Sequence, residues 1–295
     1  MFDNNYINTA GLLALVLSPV ADGLGGGEYF WYLFVVLFLL FLFGLFDEYR
    51  KNKRISCETV HIPIVIKIDD GPDPKYVMKN IIEQIEQRYK MSNYEETLKR
   101  YFAINLEACI FEYGGSVYDF DRVMSFARII RYAILGIEKL LKGRVKFHIA
   151  YYKRPGIGLL LGTIFRTEAV VVYQNNDFEN RFYPVADITS RAYKERIERF
   201  SRYSTEKNIT DMQNKTLLIA IESASHKINL NAESLQKDKN KILIRLRQNG
   251  TIPYEDSWLE YDSEIYNVIN QEQTEFNAIS LAHAMPEAIA IVLGM

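Results

Sequence analysis

Apolar positions along this chain fall into runs of two lengths, and each predicts a different kind of element. From Tyr29 to Phe46 eighteen consecutive residues carry no charge, close to the roughly 20 that cross a hydrocarbon core about 30 Å thick. The run predicts a transmembrane helix. Tyr29, Trp31 and Tyr32 stand at its start, where amphipathic rings favour the interface, and Arg50, Lys51, Lys53 and Arg54 follow its end, which assigns that end to the cytoplasm. Basic residues that follow the apolar run, instead of preceding it, do not fit a cleaved signal peptide. A second apolar stretch, Thr9 to Ala21, is thirteen residues long and is broken by Ser18-Pro19. It is either the other half of a membrane hairpin, turning through Asp22 and Gly25-Gly26-Gly27, or an external segment.

Beyond Arg54 the runs are shorter and alternate between strand and helix periods. His61 to Ile68 is β-branched and reads as a strand, Tyr76 to Tyr89 carries apolar residues at helical spacing, and Tyr101 to Cys109 reads as a strand. Asp119 to Lys142 is a long amphipathic helix, Val145 to Tyr151 a strand, Pro155 to Leu161 a helix start and Ala169 to Tyr173 a buried strand. This order predicts a mainly parallel sheet covered by helices. A second series follows the polar stretch Ser201 to Lys215: strands at Thr216 to Ile221 and Lys241 to Leu246, a helix at Trp258 to Gln271, a strand at Ala278 to Leu281 and a helix at Pro286 to Leu293. A shift of 132 positions lays Phe147 to Tyr151 on Ile279 to His283, and Ile157 to Gly162 on Ile289 to Gly294, without a gap. The shift predicts two related units, and it places a closing strand of the second unit near positions 300 to 306, beyond Met295. The second unit is therefore expected to be incomplete here. The expected division is 1–54 for the membrane region, 55–205 for the first unit and 206–295 for the second.

Charge narrows the choice of partners. Residues 1–49 hold no Lys or Arg, and 35 basic face 32 acidic residues from Arg50 onward, too even a balance for binding long nucleic acid. Cys57 and Cys109 form no CxxC pair, so neither a zinc site nor a disulfide framework is expected.

The candidate chemistry gathers at strand ends. Tyr151-Tyr152-Lys153-Arg154-Pro155-Gly156 lies where a strand passes into a helix, the place where open α/β sheets bind ligands. Helix amides, a cation from Lys153 or Arg154 and the faces of Tyr151 and Tyr152 could hold a phosphate and a base. The matching turn of the second series is His283-Ala284-Met285-Pro286-Glu287, and Ser225-His226-Lys227 after the preceding strand adds hydroxyls and a cation. Three such loops on one crevice would suit a ring-shaped, multiply charged ligand. His148, inside a strand, reads as structural. A rival motif is Asp69-Asp70-Gly71-Pro72, which resembles the first motif of metal-dependent polysaccharide deacetylases and would make one aspartate a base and the other a metal ligand. That chemistry also needs two histidines about a helical turn apart, whereas His61, His148, His226 and His283 are widely separated.

The stretches Phe147 to Gly162, Ala169 to Val185 and Ile279 to Gly294 together resemble the SAVED domain, over roughly Ser56 to Met295. That family fuses two CARF-like, Rossmann-type units and senses cyclic oligonucleotides in bacterial antiphage defence, as in CBASS. The resemblance implies an α/β fold with an N-terminal transmembrane helix ahead of two CARF-type units, and a cyclic oligonucleotide held by Tyr151, Tyr152, Lys153, Arg154, Gly156, Ser225, His226, Lys227 and His283. It implies a membrane effector at the bacterial inner membrane, with the lipid bilayer as one partner and ligand-driven self-association as its output. No cofactor and no enzymatic activity are expected. The alternatives are the deacetylase-like enzyme and a membrane-anchored nucleotide-binding module without effector activity.

Overall fold

The computed structural model describes residues 35–46, 49, 59–69, 71–141, 144–190, 194–197, 199–211, 213–235, 239–248 and 250–295. The chain divides into two compact units, Met1–Glu58 and Thr59–Met295. In the first, residues 35–46 form helix α1, along which Val36, Leu39, Leu40 and Phe43 are exposed. The expected span from Tyr29 begins outside the described residues, and the stretch Thr9 to Ala21 lies wholly outside them. Among the described residues no helix is long and apolar enough to cross a membrane.

The second unit is a mixed α/β structure with two sheets. The first has the order β2-β1-β3-β4-β5, from β1 (Val60–Ile68), β2 (Ile110–Tyr113), β3 (Val145–Tyr152), β4 (Ala169–Asn176) and β5 (Arg181–Ile188). Strands β2, β1, β3 and β4 run parallel, and β5 returns antiparallel to β4. The parallel strands are nearly continuous apolar runs because helices cover them: α2 (Pro74–Tyr89), α3 (Tyr94–Tyr101), α4 (Phe120–Leu141) and α5 (Pro155–Ile164). Asp73 starts α2, its Oδ1 accepting from the Lys75 amide at 3.0 Å ahead of a first-turn proline. The second sheet, order β6-β8-β7-β9, is built from β6 (Tyr203–Asn208), β7 (Thr216–Glu222), β8 (Lys241–Leu246) and β9 (Ala278–Ala284), with α6 (Trp258–Glu272) and α7 (Glu287–Gly294). Strands β8, β7 and β9 are parallel and β6 is antiparallel to β8.

Two expectations shift. The strand expected at Tyr101 to Cys109 is the end of α3 and a short 3-10 turn, and the strand itself is β2, further on. Asn105 causes the displacement by accepting from the Glu107 amide at 3.1 Å, which bends the chain before it can extend. Strand β5 contains Pro184, tolerable because β5 is an edge strand. The polar stretch Ser201 to Lys215 is not a plain joint, since β6 runs through it and pairs with β8 from Tyr203↔Leu246 to Asn208↔Lys241. Glu264, buried on α6, pins this polar edge strand by accepting from the amides of Ser201, Arg202 and Tyr203 at 2.7 to 3.0 Å.

The 132-residue shift has a counterpart in packing. β3 pairs in parallel with β1 and leads into α5, while β9 pairs in parallel with β7 and leads into α7. Helices α5 and α7 then touch each other through equivalent positions. A Cβ on Gly162 would strike the Ile291 carbonyl, and a Cβ on Gly294 would strike the Leu159 carbonyl. Gly162 and Gly294 are 132 apart, as are Leu159 and Ile291, so the contact is reciprocal. Gly158 meets its own equivalent, a Cβ there lying 3.2 Å from the Ala290 Cβ. The helices therefore run side by side in the same direction about a pseudo-twofold axis, and their amino ends open on one face. Gly162→Ala is expected to cost about 1–3 kcal/mol or more by overpacking, read as a lower melting temperature. Gly136→Ala on α4, where an added Cβ meets nothing within 4 Å, should stabilise by about 0.5–1 kcal/mol.

Towards the amino ends of the first sheet lies a buried polar cluster. His61 Nδ1 and His148 Nε2 are 2.9 Å apart, His148 Nδ1 is 2.9 Å from the Tyr173 hydroxyl, and the Tyr89 ring stacks on His61 at 3.8 Å. Lys146 and Arg88 both pair with Asp187 beside them, at 2.6 and 2.7 Å. His148 is fully buried and structural, as expected from its place in a strand.

Candidate functional site

At the carboxyl ends of β1, β2 and β3 the first sheet opens into a cleft of about 630 Å³, lined by Lys67, Asp69, Glu112, Tyr113, Gly114, Lys153 and Arg154. Three cations and two carboxylates face it. Lys67 Nζ lies 3.7 Å from Glu112 and Arg154 Nε lies 3.1 Å from Asp69. Lys153 instead sits over an aromatic face, its Nζ 5.7 Å from the Tyr152 ring centroid.

The turn that carries the cations is backbone-strained. Lys153 and Arg154 both have φ of 65°, in the left-handed region that side chains with a Cβ disfavour. Three hydrogen bonds hold it. The Tyr151 hydroxyl donates to the Arg154 carbonyl at 2.6 Å, and the amides of Ile157 and Gly158 donate to the same carbonyl at 2.9 and 3.3 Å. Pro155 has no N–H, so the start of α5 presents fewer free amides to an anion than the sequence suggested. Tyr151 is also reassigned. At 1% exposure it belongs to the core, where burial pushes its phenol up, and its ring is closed to a stacking base. Tyr152 is half-buried with its ring against Gly71, a position where any Cβ would overlap the ring.

The second turn meets the first. A Cβ on Gly156 would lie 3.4 Å from His283 Nε2, so the turn after β3 lies against the end of β9, where His283 is the equivalent of Tyr151 under the 132-residue shift. Burial lowers the His283 pKa, and its Nδ1 is buried without a hydrogen-bond partner. The start of α7 is already occupied, because Gln174 Oε1 accepts from the Ala288 amide at 3.0 Å while Gln174 Nε2 donates to Glu287 at 2.8 Å. The third loop is tied to the same end of the second sheet. Ser223 N donates to the Ala284 carbonyl at 2.8 Å, and Glu222 accepts from the Ile228 amide at 2.8 Å. Ser225, His226 and Lys227 themselves stand exposed and do not line the cleft.

Sequence reading thus finds Lys153, Arg154, Gly156 and His283 together, and it misses Lys67, Glu112, Tyr113 and Gly114. Lys67 was detectable as a cation near the end of an apolar strand, as Arg245 is on β8. The other three were hidden by the misplaced β2. Of the deacetylase-like pair, Asp69 serves the ion pair with Arg154, and Asp70 lies outside the described residues. Among the described residues no group of three or more His, Cys, Asp or Glu could hold a metal ion. Burial pushes the Cys109 thiol up to about 11, which leaves it protonated.

No protein-family model matches the chain. No curated protein matches it either. Among solved structures it is similar to an Acinetobacter baumannii Cap4 SAVED/CARF-domain containing receptor with the cyclic trinucleotide 2'3'3'-cAAA, at 14% identity over 79% of this chain and 46% of that chain, TM-score 0.48. The same receptor with 3'3'3'-cAAA gives 13% identity over 82% and 47%, TM-score 0.46. A third structure of that receptor gives 14% over 79% and 44%, TM-score 0.42. The chain spans about half the length of the solved chains it matches.

Proposed function

We propose that this chain is a membrane-anchored receptor for a cyclic oligonucleotide, with Tyr29 to Phe46 as its anchor, and that the ligand drives self-association that disturbs the bilayer. The observation that carries the reading is the pairing of two strand-turn-helix units about a pseudo-twofold axis, with a cation-lined cleft beside their common face. A ring of phosphates presents repeated anions in a compact outline. Lys67, Lys153 and Arg154 supply repeated cations at one rim, and Tyr152 supplies an aromatic face beside them. Anchoring rests on the uncharged run and the basic residues that follow it.

The Asp69–Arg154 pair gives the site a resting state. Asp69 neutralises Arg154 until a phosphate competes for the guanidinium, so Asp69→Asn is expected to tighten binding by a few-fold, up to roughly fivefold for a part-exposed pair. Weaker binding by Asp69→Asn in a titration would show that the carboxylate organises the turn instead.

The output is tested with the full chain in vesicles. A ligand shifts assembly only through different affinity for the separate and assembled states, so light scattering and a potential-sensitive dye are followed together as cyclic trinucleotides are added. Growth of particles with loss of potential is the expected result. Binding without either change would leave a nucleotide-binding module with no effector activity.

A further inference from the structure

The outer face of α4 is unlike that of its neighbours. Over its second half it presents Ile129, Tyr132, Leu135 and Leu140, exposed at 58%, 71%, 41% and 55%. Arg128 and Lys139 are exposed on the same face. The one acidic residue between 128 and 140, Glu138, is half-buried and hydrogen-bonded to Glu168. The outward surface is therefore apolar and cationic without an interspersed carboxylate. By contrast α3 shows solvent Glu95, Glu96, Lys99 and Arg100, charges of both signs that suit water.

We propose that this face of α4 rests on an anionic lipid surface. Half-exposed aliphatic and tyrosyl side chains flanked by Arg and Lys are the composition with which amphipathic helices lie in the headgroup region. Each cation near such a surface strengthens its hold roughly fivefold. A second copy of the same face fits less well, since it would set Arg128 and Lys139 against further cations with no acid between them. The chain's own geometry supplies the surface. Phe46 and Thr59 are thirteen residues apart, so an anchored chain keeps the folded unit within about 45 Å of the bilayer at high effective concentration. The inference rests on the anchor part of the proposed function and not on the ligand.

The test uses the full chain with Cys57→Ser and Tyr132→Cys, labelled at residue 132 with an environment-sensitive dye; Cys109 is buried. Flotation with vesicles of phosphatidylglycerol and phosphatidylcholine is read first. A chain that does not float overturns the anchor, and this inference with it. In a chain that floats, the dye should shift to the blue and lose roughly half its emission to brominated lipid. The same dye at Lys99→Cys should do neither. Arg128→Glu with Lys139→Glu should weaken the quenching roughly tenfold or more in lipid titrations. Floating chains with an unquenched dye at residue 132 overturn the inference while sparing the anchor. A shift in detergent that grows with protein concentration, without lipid, overturns it in favour of a second copy.

Discussion

The Lys153→Ala, Arg154→Ala double variant is expected to bind cyclic oligonucleotides roughly 100-fold more weakly than the parent chain, because each charged contact to phosphate is worth about 1.5–3 kcal/mol. The two losses are not equal. Arg154 is already paired with Asp69 at 3.1 Å, so part of what it gains from a phosphate replaces an existing contact. Lys153 gives up only its place over the Tyr152 ring. The single Lys153→Ala variant should therefore carry the larger share. Fold stability should change little, since both side chains leave the core untouched and the left-handed backbone is equally disfavoured for alanine. Titration of labelled cyclic trinucleotide, with melting curves alongside, reads both quantities. Affinity within a factor of a few of the parent would show that the turn is merely solvated.

The second large effect is on stability in acid. Burial lowers the His61 pKa to about 4 and the His148 pKa to about 2, with Lys146 adding to both shifts and Arg88 also unfavourable to charge; only Asp187 acts the other way on His61. Both rings cannot be charged at once, because N–H would face N–H across the 2.9 Å contact. A folded-state pKa below the unfolded value of about 6.5 means that the unfolded chain binds more protons between the two. The contribution of each histidine is therefore complete above pH 6.5 and is lost as pH falls towards the folded value. The slope is about 1.4 kcal/mol per pH unit per histidine, or about 3 kcal/mol each by pH 4. Together they remove about 6 kcal/mol by pH 4, a large share of a net stability of about 5–15 kcal/mol. Other groups add their own slopes: Asp262, fully buried with neither carboxylate oxygen hydrogen-bonded, has a raised pKa and loses stability as pH rises above its unfolded value. The difference between chains isolates the histidine. Urea unfolding of the His148→Gln variant should be less steep than the parent by about 2–3 kcal/mol between pH 7 and 4.5, and parallel curves would contradict the buried pair as the cause.

Most of the architecture was legible because buried parallel strands are apolar runs. β1, β3, β4, β7 and β8 each coincide with such a run, and the spacing of Val77, Ile81, Ile82 and Ile85 marks α2. What escaped were edges. β5 and β6 need only one apolar face or none, and β6, with the sequence YSTEKN, is held by a glutamate 61 residues further on. No local pattern encodes that capture. The site was legible to the same depth. The strand-to-helix turn identifies Lys153 and Arg154, but whether a tyrosine at the strand end faces ligand or core depends on which way the β3 pleat points, and Tyr151 points inward. The packing of α5 on α7 left a trace that sequence alone could not interpret. Gly162 and Gly294 looked like generic helix ends, and only the reciprocal carbonyl contacts reveal why both must lack a side chain.

The proposed function has one chain, through two related units, hold a cyclic oligonucleotide at the cleft of Lys67, Lys153 and Arg154. The direct measurement is a calorimetric titration of the full chain with cyclic di-, tri- and tetranucleotides and with a linear oligonucleotide of the same length and bases. The expected result is saturable binding of one ring size, weaker binding of its linear counterpart, and loss of that preference in the Lys153→Ala, Arg154→Ala variant. No binding of any ring, or equal affinity for ring and linear forms, would contradict it.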